Sequence, residues 1–443
     1  MYWFILLFPL LIYPWGPLTY YTFPKVFYLD VFVLCTWLYI ILKKKYWTTG
    51  LPKSSLKVEY IVLAFMCLVG ISTLFSVNRV TSFYGTDTRF EGLVSFFSYC
   101  SVFLFSYRLM DGKKLDKVIP GMVIISVFVS FYGILQHYLL DFFPRNALTF
   151  NTTRSYGFFD NANFFGAYLV LMMMLAITLY VKSKESKLIT VGYFFASCIA
   201  FVALIFSQTR SGWIGVFCGI VFLTVFVIAK RKYLWKKWTA LLLTLGLLFV
   251  AIDALEGGSI TSRLTSLFSD SYKIASNQST GKEGSSRFYI WKETLPLVKD
   301  YFWVGSGPDT LEYVFPGTEE ERKKYLGNPH ILVDKAHNEY LQIAVTLGVP
   351  ALLTYLLLLF VVIRKAFQAV KYADGTEKLI LYGLLSTIIG YLVQAFFNIS
   401  TVPVAPFFWA ILGITLARSS NVLKKSLQQN QTDDILENNN QIA

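Results

Sequence analysis

Residues 187–206, KLITVGYFFASCIAFVALIF, and residues 211–229, SGWIGVFCGIVFLTVFVIA, are two apolar runs parted only by Ser207-Gln208-Thr209-Arg210. A helix needs roughly 20 apolar residues to cross the hydrocarbon core of a bilayer, and each run is about that long. The pair reads as two membrane-crossing helices joined by a short polar turn, with an arginine at the junction.

Runs of the same kind recur along the chain, near 2–15, 26–42, 58–76, 92–108, 118–140, 164–181, 239–255, 337–363, 379–396 and 402–417. Hydrophobic residues make up 55% of the sequence and charged residues 15%. Such a composition excludes a single soluble domain with one core. The fold class is an all-α integral membrane protein with about 12 transmembrane helices. The first run contains Pro9 and Pro14 but has neither a basic start nor a small-residue cleavage site, so it reads as a helix rather than a signal peptide.

The net charge of +13 does not point to nucleic acid, because the basic residues fall in short clusters between apolar runs. One alternate set of loops holds Lys43, Lys44, Lys45, Lys53 and Lys57, then Arg108 with Lys113, Lys114 and Lys117, then Lys182, Lys184 and Lys187. The same set continues with Lys230, Arg231, Lys232, Lys236 and Lys237, with Arg364, Lys365, Lys371 and Lys378, and with Arg418, Lys424 and Lys425. The short loops of the other set hold only Lys25, Arg79, Arg89, Arg145, Arg154 and Arg210. The positive-inside rule makes the first set cytoplasmic, with both termini inside. Residues 1–255 then carry helices one to nine, 256–336 a long extracytoplasmic loop with interfacial helices, 337–417 helices ten to twelve, and 418–443 a polar tail expected to be disordered. The five cysteines all lie in apolar runs, which suits packing rather than disulfides or a thiolate metal cluster.

A polar connection as long as 256–336 is uncommon unless it works or is disordered. It is framed by the Arg210 turn and by His337-Asn338-Glu339-Tyr340-Leu341-Gln342, with Arg287 between them in Ser285-Ser286-Arg287-Phe288-Tyr289-Ile290-Trp291. Residues 288–298 have helical spacing broken at Pro296, and the 319–324 charge run suits one exposed helix face. Gly305-Ser306-Gly307-Pro308-Asp309 is a turn and a weak phosphate-loop candidate. Two readings are open for the outward arginines Arg89, Arg154 and Arg210: snorkelling anchors at the headgroups, or forks for a phosphate. Asp160 or Asn163 is placed to cap the sixth helix. Of three histidines, His137 reads as packing and His330 as loop. His337 is placed by an Asp334 cap in the first turn of the tenth helix, where two readings are open: a structural histidine at the polar-apolar boundary, or, as a neutral imidazole near arginines, a general base. No histidine or cysteine pairs supply a zinc site.

At these residues the chain resembles the O-antigen ligase and polymerase family of polytopic glycosyltransferases. The likeness rests on an arginine flanked by Ser and Thr at a helix junction, an arginine and a tryptophan in a long outer loop, Gly-Ser-Gly, and His-Asn-Glu-Tyr-Leu-Gln opening the next helix. Arg154-Ser155-Tyr156-Gly157 with Asn161-Ala162-Asn163 is similar to a further family motif. The resemblance implies a GT-C-like glycosyltransferase in the cytoplasmic membrane, active on its outer face. It implies a glycan donor on undecaprenyl diphosphate, a lipid, glycan or protein acceptor, and neither cofactor nor metal. Carried over, Arg210 and Arg287 hold the diphosphate and His337 is the base. Arg89, Arg154 and Asn338 are further candidates for substrate contact. Ligase and polymerase stay open, and a transporter or flippase of a lipid-linked glycan is the competing reading.

Overall fold

The computed structural model describes residues 1–15, 19–43, 56–110, 112–143, 154–183, 186–230, 232–276 and 280–442. Lys44, Lys45, Lys53, Arg145, Lys184 and Arg231 of the charge pattern lie outside them. The described residues are helical or irregular, with no strand among them.

The long elements follow the apolar runs. They are α2 (Thr22–Leu42), α3 (Leu56–Leu74), α5 (Leu93–Arg108) and α6 (Gly112–His137), with α1 (Tyr2–Leu7) before them and α4 (Arg79–Tyr84) between α3 and α5. Next come α7 (Ala162–Lys182), α8 (Lys187–Ser207), α9 (Arg210–Lys230) and α10 (Trp235–Leu255). The polar segment holds α11 (Ser259–Ala275), α12 (Arg287–Thr294), α13 (Leu297–Asp300), α14 (Leu311–Val314) and α15 (Glu319–Leu326). The chain closes with α16 (Glu339–Thr346), α17 (Val349–Tyr372), α18 (Gly375–Ala395) and α19 (Ala405–Ile442). Among the described residues, eight helices are long and apolar enough to cross a membrane, namely α2, α6 to α10, α17 and α18, and α3 and α5 are shorter apolar helices.

α7 is the axis of the bundle, since its whole apolar window is buried. α8, α9, α18, α6 and α19 pack against it. Small residues let these backbones approach closely, as in other membrane bundles. A Cβ on Gly215 of α9 would lie 2.6 Å from the Gly390 carbonyl oxygen of α18. One on Gly383 of α18 would run into the Thr178 side chain of α7.

Several expectations are corrected. The first run is not one helix: α1 gives way to a 3₁₀ turn at Phe8–Leu10, where Pro9 cannot continue the α-helical ladder. Its ends still meet opposite ends of α2, Met1 sharing a groove with Tyr39 and the Leu11 carbonyl accepting from Lys25 Nζ at 3.0 Å. The tenth apolar run is two helices, broken at Leu347-Gly348, with Gly348 at φ 90°. α7 is capped by Asn161, whose side chain accepts from Asn163 N at 2.8 Å. Asp160 instead accepts from Thr22 N at 2.7 Å and so ties α2 to the α7 entry. The tail expected to be disordered continues α19 as a helix to Ile442, through a stretch without glycine or proline. The helix broken at Pro296 and the 319–324 helix are present as α12, α13 and α15. The last carries a reciprocal cap between Thr318 and Glu321.

The two charge classes separate to opposite ends of the bundle. At one end Arg418 joins Glu377 and Asp116, Arg108 pairs with Glu59, and Lys237 donates to the Tyr180 carbonyl. At the other lie Arg89, Arg154, Arg210 and the polar segment. The positive-inside expectation puts this second end outside. A cysteine placed at the exposed Ser276 should therefore react with a membrane-impermeant maleimide in cells whose outer barrier is opened but whose cytoplasmic membrane is intact. Labelling that appears only after lysis would invert the map.

Candidate active site

The site forms where the polar segment folds back over the ends of α7 to α9. α8 ends on Gln208 in the left-handed conformation, φ 53°, so the chain reverses sharply and α9 starts on Arg210 at the surface of the bundle. Arg210 Nη1 donates to Ser266 Oγ at 3.1 Å and to Asp270 Oδ2 at 3.4 Å on α11, and Nη2 donates to Ser285 Oγ. Arg154 Nε donates to the Ser207 carbonyl at 3.1 Å and Nη2 to Asn163 Oδ1 at 3.3 Å, which pins it between α7 and α8.

Arg287 opens α12 after Ser285 and Ser286, both left-handed at φ 60° and 64°. Strain of this kind at two adjacent non-glycine residues is costly and gathers at functional sites. The Arg287 guanidinium makes no hydrogen bond or ion pair among the described residues. Burial first, then Arg210 and Arg154, brings it down to about 10. Arg154 is likewise lowered to about 10 by burial, Arg263 and Arg210. Arg263 on α11 is lowered by burial and by Arg210. Four guanidinium groups thus press on one another. Asp270 is the one carboxylate ion-paired with them among the described residues.

His337 adjoins this cluster. Trp291 Nε1, one turn along α12 from Arg287, donates to the Ala336 carbonyl at 2.8 Å and so fixes α12 against the residue before the histidine. The expected cap is corrected: α16 is capped by Asn338, whose Oδ1 accepts from Leu341 N at 3.0 Å, and His337 precedes the helix in the left-handed region at φ 49°. Asn338 is the better cap because Asp334 is engaged elsewhere, with Arg89 at 3.4 Å and Lys335 at 3.5 Å. The rest of the motif is tied down. Ala336 N donates to Gln342 Oε1 at 2.8 Å, Glu339 accepts from Tyr355 and Ser400, and Tyr340 Oη donates to the Leu392 carbonyl at 2.9 Å. Within the motif, His337 Nδ1 is buried without a hydrogen-bond partner among the described residues. Burial, then Lys335 and Arg287, brings the imidazole down to about 3, against an opposing effect of Asp334. It is neutral throughout the physiological range.

The arrangement brings Arg154, Arg210, Arg287 and His337 together. It leaves Arg89 apart, 3% exposed and held by Asp309 and Asp334. The Gly305–Asp309 turn is not a phosphate loop. Its amides at Ser306 and Gly307 donate to the Val345 and Thr346 carbonyls at 2.9 Å, and Asp309 Oδ2 accepts from Thr86 N at 2.7 Å. Sequence reasoning missed Arg263 and Lys335 and read Asp334 only as a cap. The available signal was that α11, where Arg263 lies, is amphipathic. Among the described residues no three His, Cys, Asp or Glu side chains are grouped as metal ligands.

Below Arg210 an apolar groove of about 540 Å³ runs between α8, α9 and α10, walled by Phe201, Leu204, Trp213, Phe217 and Phe249 and closed above by Leu264 beside Arg263.

No curated protein matches the chain. Residues 194–356 match the family model described as O-antigen ligase. That segment runs from within α8 into α17 and contains Arg210, Arg287 and His337, so the part of the chain that carries these three residues is similar to the O-antigen ligase family.

Proposed function

We propose that the protein transfers a glycan from undecaprenyl diphosphate to an acceptor hydroxyl at the outer face of the cytoplasmic membrane, as a ligase or a polymerase. The observation that carries this reading is the cluster of four arginines, nearly unneutralised, beside a histidine with an unpartnered buried nitrogen. A diphosphate supplies the missing negative charge, and guanidinium forks bind its oxygens in pairs. The apolar groove between α8, α9 and α10, walled by Leu204 and Trp213 on either side of the Arg210 turn in sequence, suits the polyprenyl chain of the same donor.

In the reaction, the acceptor oxygen attacks the anomeric carbon while its proton passes to the His337 imidazole. The carbon–oxygen bond to the diphosphate breaks, and its electron pair stays on the leaving oxygen facing Arg210 and Arg287. The arginines carry the developing charge, so no general acid is needed. Attack opposite the leaving group inverts the anomeric centre. Arg154 and Arg263 add to the field from the α7 and α11 sides. Twelve crossings and a GT-C-like arrangement accompany this reading as its architecture. Transport fits less well, because transporters gather ionisable groups near the bilayer midplane, whereas these cations sit at one end of the bundle.

The test is transfer by the purified protein with a synthetic diphosphate-linked glycan and excess chelator. Product with an inverted linkage should form at the unchelated rate, because guanidinium groups take the place of a divalent ion. Loss of activity on chelation with recovery on added metal, or retention of configuration, would remove this mechanism.

A further inference from the structure

Arg89 lies well outside the matched segment, yet its side chain reaches a carboxylate three residues before His337. It follows α4 in the turn before α5. Its Nη2 is held by Asp309 Oδ1, and its Nη1 lies 3.4 Å from Asp334 Oδ2. Asp309 is itself fixed, its Oδ2 accepting from Thr86 N at 2.7 Å and Thr86 Oγ1 at 2.9 Å. The loop carrying it is stapled to the same turn by Val77 N to the Ser306 carbonyl at 3.0 Å and Ser82 Oγ to the Pro308 carbonyl at 3.1 Å. Arg89 is thus anchored on one side and touches, on the other, a carboxylate three residues before His337.

A carboxylate so close is the ordinary partner of an imidazole. Paired with His337, Asp334 would raise the proton affinity of the ring and occupy the nitrogen that is otherwise free. In the structure Asp334 Oδ2 is engaged by Arg89 and Lys335 instead, and His337 Nδ1 is left unpartnered. We infer that Arg89 is a positioning residue for the base: anchored by Asp309, it withholds the Asp334 carboxylate from His337 and so keeps the imidazole free for the acceptor. This rests on the reading of His337 as the base. Arg89 does not touch the donor in this scheme.

The charged groups facing His337 agree with the geometry. Lys335 and Asp334 come from its own segment, Arg287 from α12 and Arg89 from the turn before α5. Asp334 alone among them favours protonation, and it is also the one Arg89 contacts. Removing Arg89 therefore acts twice in the same direction, by loss of a cation and by release of a carboxylate.

The experiment combines kinetics with site-resolved carbethoxylation of His337, read by mass spectrometry, which reports the neutral fraction of the ring whether or not it is the catalytic base. Arg89→Gln should shift the midpoint of the reactivity profile to higher pH and lower kcat, with the donor KM unchanged within about twofold. Adding Asp334→Asn to that variant should return the midpoint toward its original position and recover part of kcat. If Arg89→Gln does not fold, Arg89→Lys, which cannot fork across both carboxylates, carries the same expectation. A raised donor KM would make Arg89 a donor contact and overturn the inference. So would an unchanged reactivity profile, or a shifted profile that Asp334→Asn does not reverse. A profile that behaves as expected while transfer stays at wild-type rate would keep the positioning and sink the base assignment.

Discussion

His337→Ala should abolish transfer while donor binding and thermal stability stay near those of the parent. A sugar hydroxyl attacks a carbon only as its proton leaves, and a positioned base contributes about a hundredfold to ten-thousandfold. Loss of that size is expected in kcat, with the donor KM little changed, because the arginines that hold the diphosphate remain. The pH dependence follows from the charges around the ring. In the free protein burial, Lys335 and Arg287 hold the imidazole at about 3, so kcat/KM should show no acid limb from His337 between pH 8 and 5. Bound diphosphate offsets the cations that depress the ring, so its proton affinity rises in the complex and the acid limb of kcat should lie at higher pH than that of kcat/KM. Near-normal turnover by a purified, folded alanine variant would end this assignment.

Arg287→Lys should be nearly as harmful, though by another route. Lysine keeps the charge but not the planar fork, and a hydrogen bond to a charged group contributes about 1.5 to 3 kcal/mol, roughly tenfold to over a hundredfold in rate. Arg287 is the more informative of the two diphosphate candidates because, among the described residues, it has no hydrogen-bond or ion-pair partner to lose. Arg210 also holds Ser266, Asp270 and Ser285, so its replacement disturbs α11 as well as the donor. Both variants should raise the donor KM and lower kcat/KM, Arg210→Lys with a fall in thermal stability and Arg287→Lys without one. Wild-type rates in both would make the arginines headgroup anchors.

The membrane class and most helix positions were legible because apolar length is a local signal that needs no knowledge of neighbours. The site was legible in part for a related reason. Arg210, Arg287 and His337 interrupt or flank apolar runs, where a charged or polar residue is conspicuous. What failed was local grammar under tertiary competition. Asp334 is as good a cap as Asn338 by residue type, but its carboxylate is claimed by Arg89. Gly305-Ser306-Gly307 has the composition of a phosphate loop, but its amides are consumed by α16. The contact between Arg89 and Asp309 joins positions 220 residues apart, and nothing in either neighbourhood announces the other. Arg263 was passed over because its value comes from where α11 lands.

The complete enclosure of α7 bears on how the protein is made. During synthesis α7 enters the bilayer with lipid on most of its sides, which its largely apolar surface permits. Of the helices that will later replace that lipid, α6 is already in place, α8 and α9 follow within the next 50 or so residues, and α18 and α19 emerge more than 190 residues on. The centre of the molecule therefore stays incomplete until translation is nearly finished. A chain halted in the polar segment would carry α7 and the arginine turn to the membrane without the two helices that close the bundle.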